Sequence, residues 1–160
     1  MLKNITMNGI RMQEDSSLTI LDVARKHGID IPTLCFLKKD DCNFVHRPAS
    51  CRVCIVEVKG RRNLSPACAT YIEEGMEILT NSYKVRQERK NIVELLLSNH
   101  PNACLTCRKS GDCELQALSA KLGVSNNLEF AGPLSQENKE YRFGAILRNP
   151  SKCILCNRCT

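Results

Sequence analysis

Ten of the eleven cysteines in this 160-residue chain fall into three spaced groups, and a histidine precedes the second group. The first set is Cys35, Cys51, Cys54 and Cys68, the second is His100, Cys104, Cys107 and Cys113, and the third is Cys153, Cys156 and Cys159. Thiolate is the soft ligand that iron–sulfur clusters and zinc prefer. The first two sets are complete four-ligand sets. Three sets in sequence indicate a series of redox centres rather than one structural metal site.

The first set contains a Cys-x2-Cys pair with two outlying cysteines. This pattern suits a [2Fe-2S] cluster, with the close pair expected on one iron, although it differs from the plant-type C-x4-C-x2-C spacing. A four-thiolate zinc site fits the same residues. We predict Cys35 as the outlying ligand, because it directly follows the extended stretch 31–34. Cys42 lies among charged residues and is expected to be a free thiol.

The second set, His100-x3-Cys104-x2-Cys107-x5-Cys113, is the most specific motif. One imidazole and three thiolates suit a [4Fe-4S] cluster and equally a Cys3His zinc site. His100 could instead cap the helix that precedes it. The compact three-cysteine loop after it, and the turn-forming sequence 99–102, favour a ligand.

The third set, Cys153-x2-Cys156-x2-Cys159, matches the first part of the bacterial C-x2-C-x2-C-x3-C run of a further [4Fe-4S] cluster. In two-cluster ferredoxins the fourth cysteine of that run serves the other cluster. A further ligand would therefore lie beyond Thr160. We expect either that the chain is a fragment of a longer protein or that a partner completes this set.

The composition predicts a thin core that depends on bound metal. Aromatic residues make up 4% of the chain and tryptophan is absent, and small domains with thin cores commonly need metals. An odd cysteine count, no signal peptide and no bilayer-length apolar run predict a cytoplasmic protein without a membrane span. Thiolate-bound clusters lower the net charge of +6 to about +3. No long basic block is present, so nucleic-acid binding is not expected.

The predicted elements indicate an α+β fold. Residues 3–7 and 10–13 read as a hairpin around Asn8-Gly9, a pair that favours a type I′ turn. Ser17 is a candidate cap for a helix that ends at Gly28. Residues 53–58 and 61–65 are predicted to form a second hairpin. Two hairpins around one helix, with cysteines on the connecting loop, is the order of a β-grasp ferredoxin domain.

The second half of the chain predicts two helices and a connector. Residues 82–98 form the clearest helix, with Pro101 after its end, and residues 112–122 form a shorter one closed by Gly123. We predict a β-grasp [2Fe-2S] domain over 1–80, a small helical His/Cys3 [4Fe-4S] domain over 81–125 and a connector over 126–149, with one strand at 141–146. Residues 150–160 begin a bacterial-ferredoxin-type domain.

With the three sets in view, the sequence resembles the N-terminal part of an [FeFe] hydrogenase catalytic subunit of the multimeric, NAD(P)-linked, electron-bifurcating type. The resemblance rests on IPTLC (31–35), PASCRVCIVEVKGRRNLSPACAT (48–70), LLLSNHPNACLTCRKSGDCELQ (95–116) and PSKCILCNRC (150–159). The same superfamily includes the large iron–sulfur subunit of complex I and NAD-linked formate dehydrogenases.

The resemblance implies that the first set binds [2Fe-2S], the second [4Fe-4S] and the third part of a further [4Fe-4S] cluster. It implies an electron relay between a flavin/NAD(P)-binding iron–sulfur subunit, which carries FMN and NAD(P), and a hydrogen-activating site. Ferredoxin is a further candidate partner. The alternatives are the equivalent relay of a formate dehydrogenase or complex I-like enzyme and, in another class, a zinc-stabilised interaction domain. No nucleophile–base pair or phosphate loop occurs, so the 160 residues alone are expected to have no catalytic site.

Overall fold

A computed structural model describes residues 1–37, 48–101, 103–124, 130 and 139–159. The chain divides into two compact units: residues 1–89 with 157–160 form the first unit, and residues 90–156 form the second. Within the described ranges, no helix combines the length and the apolar character that crossing a membrane requires.

The first unit is built on a five-stranded mixed sheet. Its strands are β1 (Leu2–Met7), β2 (Ile10–Asp15), β3 (Ile55–Val58), β4 (Ser65–Pro66) and β5 (Glu77–Leu79), in the order β2-β1-β5-β3-β4. β1 pairs antiparallel with β2 and parallel with β5, while β3 pairs antiparallel with both β5 and β4. The described part of this unit therefore combines a mixed sheet with helix, as the predicted α+β class requires.

The predicted first hairpin is confirmed. Asn8 and Gly9 both have positive φ, at 51° and 85°, as a type I′ turn requires. The Asn8 amide donates to Thr80 Oγ1 at 2.8 Å, and its carbonyl oxygen accepts from the Thr80 backbone N–H at 2.9 Å. The turn is thereby fixed to the segment that follows β5.

Helix α1 (Ile20–Lys26) packs on the sheet through Ile20, Leu21, Val23 and Ala24. Its N-cap is Thr19 and not the predicted Ser17. The Thr19 hydroxyl accepts from the Asp22 backbone N–H at 3.2 Å, and the Asp22 carboxylate accepts from the Thr19 backbone N–H. Such a capping box satisfies two otherwise unpaired donors. Gly28 follows the C-cap with φ of 68°, as predicted.

The second predicted hairpin is only partly correct. β3 begins at Ile55 rather than at residue 53, and β4 is limited to Ser65–Pro66 instead of 61–65. Strand β5 was not predicted, because three residues are too few to show a period. It nevertheless lies at the centre of the sheet, where Ile78 is completely buried.

Helix α2 (Tyr83–Ser98) confirms the longest predicted helix, and the Ser82 hydroxyl caps it by accepting from the Val85 backbone N–H at 3.3 Å. The second unit adds a 3-10 turn at Cys104–Thr106 and helix α3 (Glu114–Lys121). A two-stranded hairpin, β6 (Tyr141–Phe143) with β7 (Ile146–Arg148), replaces the single strand predicted at 141–146. A 3-10 turn follows at Pro150–Lys152.

Candidate iron–sulfur sites

The first set lies in the interior of the first unit. Cys35, Cys51, Cys54 and Cys68 are 2%, 7%, 1% and 2% exposed. All four are free thiols, and electrostatic interactions connect Cys35 with both Cys51 and Cys68. The fold therefore gathers four cysteines from three separate loops. Cys42 lies outside the described residues.

The short pair β3–β4 places Cys54 beside Cys68. Ile55 pairs with Pro66, and the Ala67 backbone N–H donates to the Cys54 carbonyl at 3.1 Å. As a result, the Cys54 thiol donates to Cys68 Sγ at 3.3 Å. Two thiolates on one tetrahedral metal with bonds of 2.3 Å lie about 3.8 Å apart. The observed separation is close to what one shared metal atom would need.

The loop before β3 bends toward the thiols through two unusual backbone conformations. Ala49 and Arg52 have positive φ, at 68° and 61°, a region that costs non-glycine residues free energy. In return, the Ala49 backbone N–H donates to Cys68 Sγ at 3.2 Å. Strained residues held by their surroundings are common at functional sites. Here the strained conformation of Ala49 directs its backbone N–H toward the Cys68 sulfur.

The thiols perturb one another because they share a buried space. Burial raises the pKa of the Cys51 thiol, and backbone groups of Val53 and Leu34 partly oppose this rise. The hydrogen bond that Cys54 donates raises its own pKa and lowers the pKa of Cys68, which accepts it. Without a cation, Cys51 and Cys54 therefore retain their protons. Binding iron must release them, since thiolate is the ligand.

A [2Fe-2S] cluster divides four ligands between two irons. In the described ranges, no three His, Cys, Asp or Glu side chains are arranged to bind one metal ion. The close contact of Cys54 with Cys68, together with the burial and thiol chemistry of all four residues, fits a two-iron cluster. The contact favours Cys54 and Cys68 on one iron, in place of the Cys51/Cys54 pair that spacing suggested.

The second set surrounds a single cavity in the second unit. His100, Cys104, Cys107 and Cys113 all line it, with Lys109, Ser110 and Gln116 among the other lining residues. The 3-10 turn begins at Cys104, and the Cys107 backbone N–H closes it on the Cys104 carbonyl at 3.2 Å. Cys113 is the N-cap residue of α3. One imidazole and three thiols facing one cavity fit the donor set of a His-ligated cluster.

Two interactions orient the His100 ring and its peptide group. The His100 backbone N–H donates to the Leu97 carbonyl at 3.0 Å, which continues the end of α2. Nδ1 lies 3.1 Å from the Pro101 carbonyl, and because a carbonyl only accepts, Nδ1 is the donor in this contact. In the neutral ring, Nε2 would then have its lone pair for a metal, since a hydrogen bond from the other ring nitrogen commonly sets the tautomer of a histidine ligand. Burial lowers the pKa of the ring, and the Lys152 ammonium adds to this effect, while the hydrogen bonds to the backbone of Pro101 and Lys152 oppose it.

The third set is more accessible than the other two. Cys153 and Cys159 are exposed and Cys156 is half-buried. Leu155 and Asn157, on either side of Cys156, have positive φ, at 54° and 56°. The Asn149 side chain accepts from the Ser151 backbone N–H at 3.1 Å and caps the preceding 3-10 turn. The three cysteines remain predicted ligands of a further cluster.

The sequence reasoning missed one charged residue at the first set. Arg89 of α2 is 4% exposed and donates to the carbonyls of Val53 and Ile55, at 3.2 and 2.7 Å. An arginine on the buried side of an otherwise amphipathic helix is the signal that could have identified it, because buried arginines are almost always paired.

Comparisons with known proteins identify two iron–sulfur regions in this chain. Residues 89–127 match the family model of the NADH-ubiquinone oxidoreductase-G iron-sulfur binding region. The chain is 45% identical over 97% of its length to the NADP-reducing hydrogenase subunit HndD of Solidesulfovibrio fructosivorans. It is 37% identical over 98% of its length to the NADPH-Fe(3+) oxidoreductase subunit alpha of Geobacter sulfurreducens. It spans only 26% and 18% of these two proteins.

Among solved structures, an NAD+-reducing [NiFe]-hydrogenase crystallised in the H2-reduced state superimposes with a TM-score of 0.85 at 28% identity. The match covers 98% of this chain and 64% of the other.

The matches confirm the two expected cofactors, a [2Fe-2S] and a [4Fe-4S] cluster. They also confirm the resemblance to hydrogenase and NAD(P)-linked oxidoreductase subunits. Residues 3–83, which contain the whole first set, match the model of the 2Fe-2S iron-sulfur cluster binding domain. The chain therefore belongs to the family of 2Fe-2S iron–sulfur cluster binding domains.

Proposed function

We propose that this chain is the iron–sulfur electron-relay part of a hydrogenase complex, passing electrons between a flavin/NAD(P) subunit and a hydrogen-activating site. The observation that carries the proposal is the presence of two distinct donor sets in one short chain. One is a buried four-thiol set, and the other is a His/Cys3 cavity. Such clusters supply one-electron transfer, at potentials set by ligand type, charge, hydrogen bonding and burial.

In the first unit, Cys35 and Cys51 would hold one iron and Cys54 and Cys68 the other. The 3.3 Å contact between Cys54 and Cys68 supports this assignment, which leaves Cys35 and Cys51 for the other iron. The Ala49 backbone N–H would donate to a bound sulfur, and donors of this kind raise the potential of a cluster. Burial of the whole set would exclude water from the iron.

In the second unit, Nε2 of His100 and the thiolates of Cys104, Cys107 and Cys113 would hold the [4Fe-4S] cluster. In the neutral ring, the hydrogen bond from Nδ1 to Pro101 would leave the lone pair of Nε2 for iron. A neutral ligand in place of a thiolate removes one negative charge, which favours reduction. Cys153, Cys156 and Cys159 would provide three ligands of the next [4Fe-4S] cluster.

The proposed domains are a [2Fe-2S] domain over 1–80, a His-ligated [4Fe-4S] domain over 81–125, a connector over 126–149 and the start of a ferredoxin-type domain over 150–160. The identity of 45% to a NADP-reducing hydrogenase subunit supports a hydrogenase parent. We assign the chain to a cytoplasmic, electron-bifurcating complex with a flavin/NAD(P)-binding partner subunit. The 37% identity to an NADPH-Fe(3+) oxidoreductase subunit supports one alternative, the equivalent relay of another NADPH-linked oxidoreductase.

Anaerobic purification with iron and acid-labile sulfide analysis tests the cofactor assignment. We expect two EPR signals of different temperature dependence on reduction, one for each complete set. Stoichiometric zinc without labile sulfide would support the zinc-stabilised interaction domain and contradict the relay.

A second experiment tests the role as a relay. The isolated chain should accept electrons from dithionite yet show no hydrogen evolution, formate oxidation or NAD(P)H oxidation. Adding the flavin/NAD(P) subunit of the parent complex should make cluster reduction depend on NAD(P)H. Hydrogen or formate turnover by the 160 residues alone would refute the proposal.

A further inference from the structure

Arg89 is a cation in the interior of the first unit, directly behind the cysteine loop. Its side chain extends from α2, and its Nε and Nη2 atoms donate to the carbonyls of Val53 and Ile55, at 3.2 and 2.7 Å. These two residues flank Cys54. The planar fork of one guanidinium therefore holds both peptide groups next to a predicted cluster ligand.

Carbonyl groups alone are poor compensation for a buried positive charge, which is stable only beside negative charge. Burial lowers the pKa of Arg89, and electrostatic interactions with Cys54 and then with Asp30 oppose this effect. Arginine nevertheless stays protonated in proteins. The fold thus maintains a permanent positive charge beside the thiol set, in a place that solvent does not screen.

We propose that Arg89 is a positioning residue of the [2Fe-2S] site that raises the reduction potential of the cluster through its buried charge and fixes the Cys54 loop through its two hydrogen bonds. The inference rests on the proposed function, because it needs the first set to hold the cluster. An oxidised [2Fe-2S] core with four thiolates carries a formal charge of about −2, and reduction adds one more negative charge. A nearby cation stabilises the more negative state more strongly, so its presence favours reduction.

The test is an anaerobic, EPR-monitored redox titration of the cluster-loaded protein and of three variants. Arg89→Gln removes the charge, Arg89→Lys keeps the charge but loses the fork, and Arg86→Gln is the matched control. Arg86 is three residues earlier on α2, is exposed, and donates to the Asn81 carbonyl at 2.7 Å. We expect Arg89→Gln to reduce the equilibrium constant for cluster reduction at least tenfold, about 59 mV for one electron. Arg89→Lys should retain at least half of this difference, and Arg86→Gln should leave the potential unchanged.

Replacement of Arg89 by citrulline gives a second route if Arg89→Gln does not load its cluster. Citrulline keeps the shape of the side chain and donors to both carbonyls but has no charge, so the same tenfold loss is expected. A potential equal to that of the unmodified protein, in either neutral variant with an intact cluster, would overturn the inference alone. An equal decrease in Arg89→Lys and Arg89→Gln would also overturn it. Unmodified protein without a [2Fe-2S] signal would overturn the proposed function together with this inference.

Discussion

Replacing His100 by cysteine should lower the reduction potential of the [4Fe-4S] cluster. Among the four predicted ligands that line the cavity, the imidazole would be the one neutral donor beside three thiolates. A thiolate in its place adds one negative charge to the cluster, and that charge disfavours taking up an electron.

The size of the shift follows from the ligand chemistry. Exchange of two thiolates for two imidazoles, as in Rieske centres, raises the potential from about −400 mV to about −150 to +300 mV. Each exchanged ligand therefore accounts for about 125–350 mV. Cysteine is shorter than histidine and lacks the Nδ1–H that donates to Pro101, so strain in the loop should limit the effect. We expect a decrease near 125 mV, or about a hundredfold in the equilibrium constant.

EPR-monitored titration of His100→Cys provides the measurement, with the [2Fe-2S] signal of the same sample as an internal reference that should not move. His27→Gln is the matched control, because His27 contacts Glu14 in the first unit at 2.7 Å and lies outside the cavity. A [4Fe-4S] potential that changes by less than about 59 mV, with the cluster retained, would refute ligation by the imidazole. His100 would then only continue the end of α2.

Three further outcomes can be measured. Cys35→Ser should shift or abolish the [2Fe-2S] spectrum, since Cys35 is buried with the set, whereas Cys42→Ser should leave it intact; the opposite pattern would move the ligand assignment to Cys42. Glu14→Gln should lower the anaerobic unfolding free energy by about 1–2 kcal/mol at pH 7, because Glu14 is 4% exposed and accepts from Lys26 at 2.7 Å. The Lys26 hydrogen bond holds the pKa of Glu14 below its ordinary value of 4.5. This stabilisation is therefore fully present above pH 4.5 and is lost as the pH falls through the folded-state pKa. The unfolding free energies of the two proteins in urea should converge below that pKa, and a difference that does not change with pH would contradict the argument. Ala49→Gly should keep the [2Fe-2S] spectrum and stabilise the protein by about 0.5–1 kcal/mol, because glycine adopts a φ of 68° without strain. A loss of stability in urea would show that the Ala49 methyl group contributes more to stability than the backbone strain costs.

The sequence alone was sufficient to predict those elements whose conformation depends on residues close to one another in the chain. Asn8-Gly9 specifies its own turn, because both residues tolerate positive φ. The apolar spacing of 82–98 specifies a helix of sixteen residues, Tyr83–Ser98. The spacing of the three cysteine sets pointed to the two cofactors, which the family comparisons confirm. The assignment of individual ligands stays a prediction.

Tertiary structure decided what depends on residues distant in sequence. β5 is three residues long and has no detectable period, yet pairing with β1 and β3 places it at the centre of the sheet. In the same way, the pairing of β3 with β4 brings Cys54 into contact with Cys68, whereas the sequence spacing had favoured Cys54 and Cys51 as ligands of one iron.

The hydrogen-bond partners of Arg89 are likewise invisible in sequence, because they are the carbonyls of Val53 and Ile55, more than thirty residues away. Cysteine spacing indicates which kinds of metal centre a chain can bind. Long-range strand pairing and burial fix which thiols meet and which charges surround them, because these depend on contacts that form only when distant segments pack together.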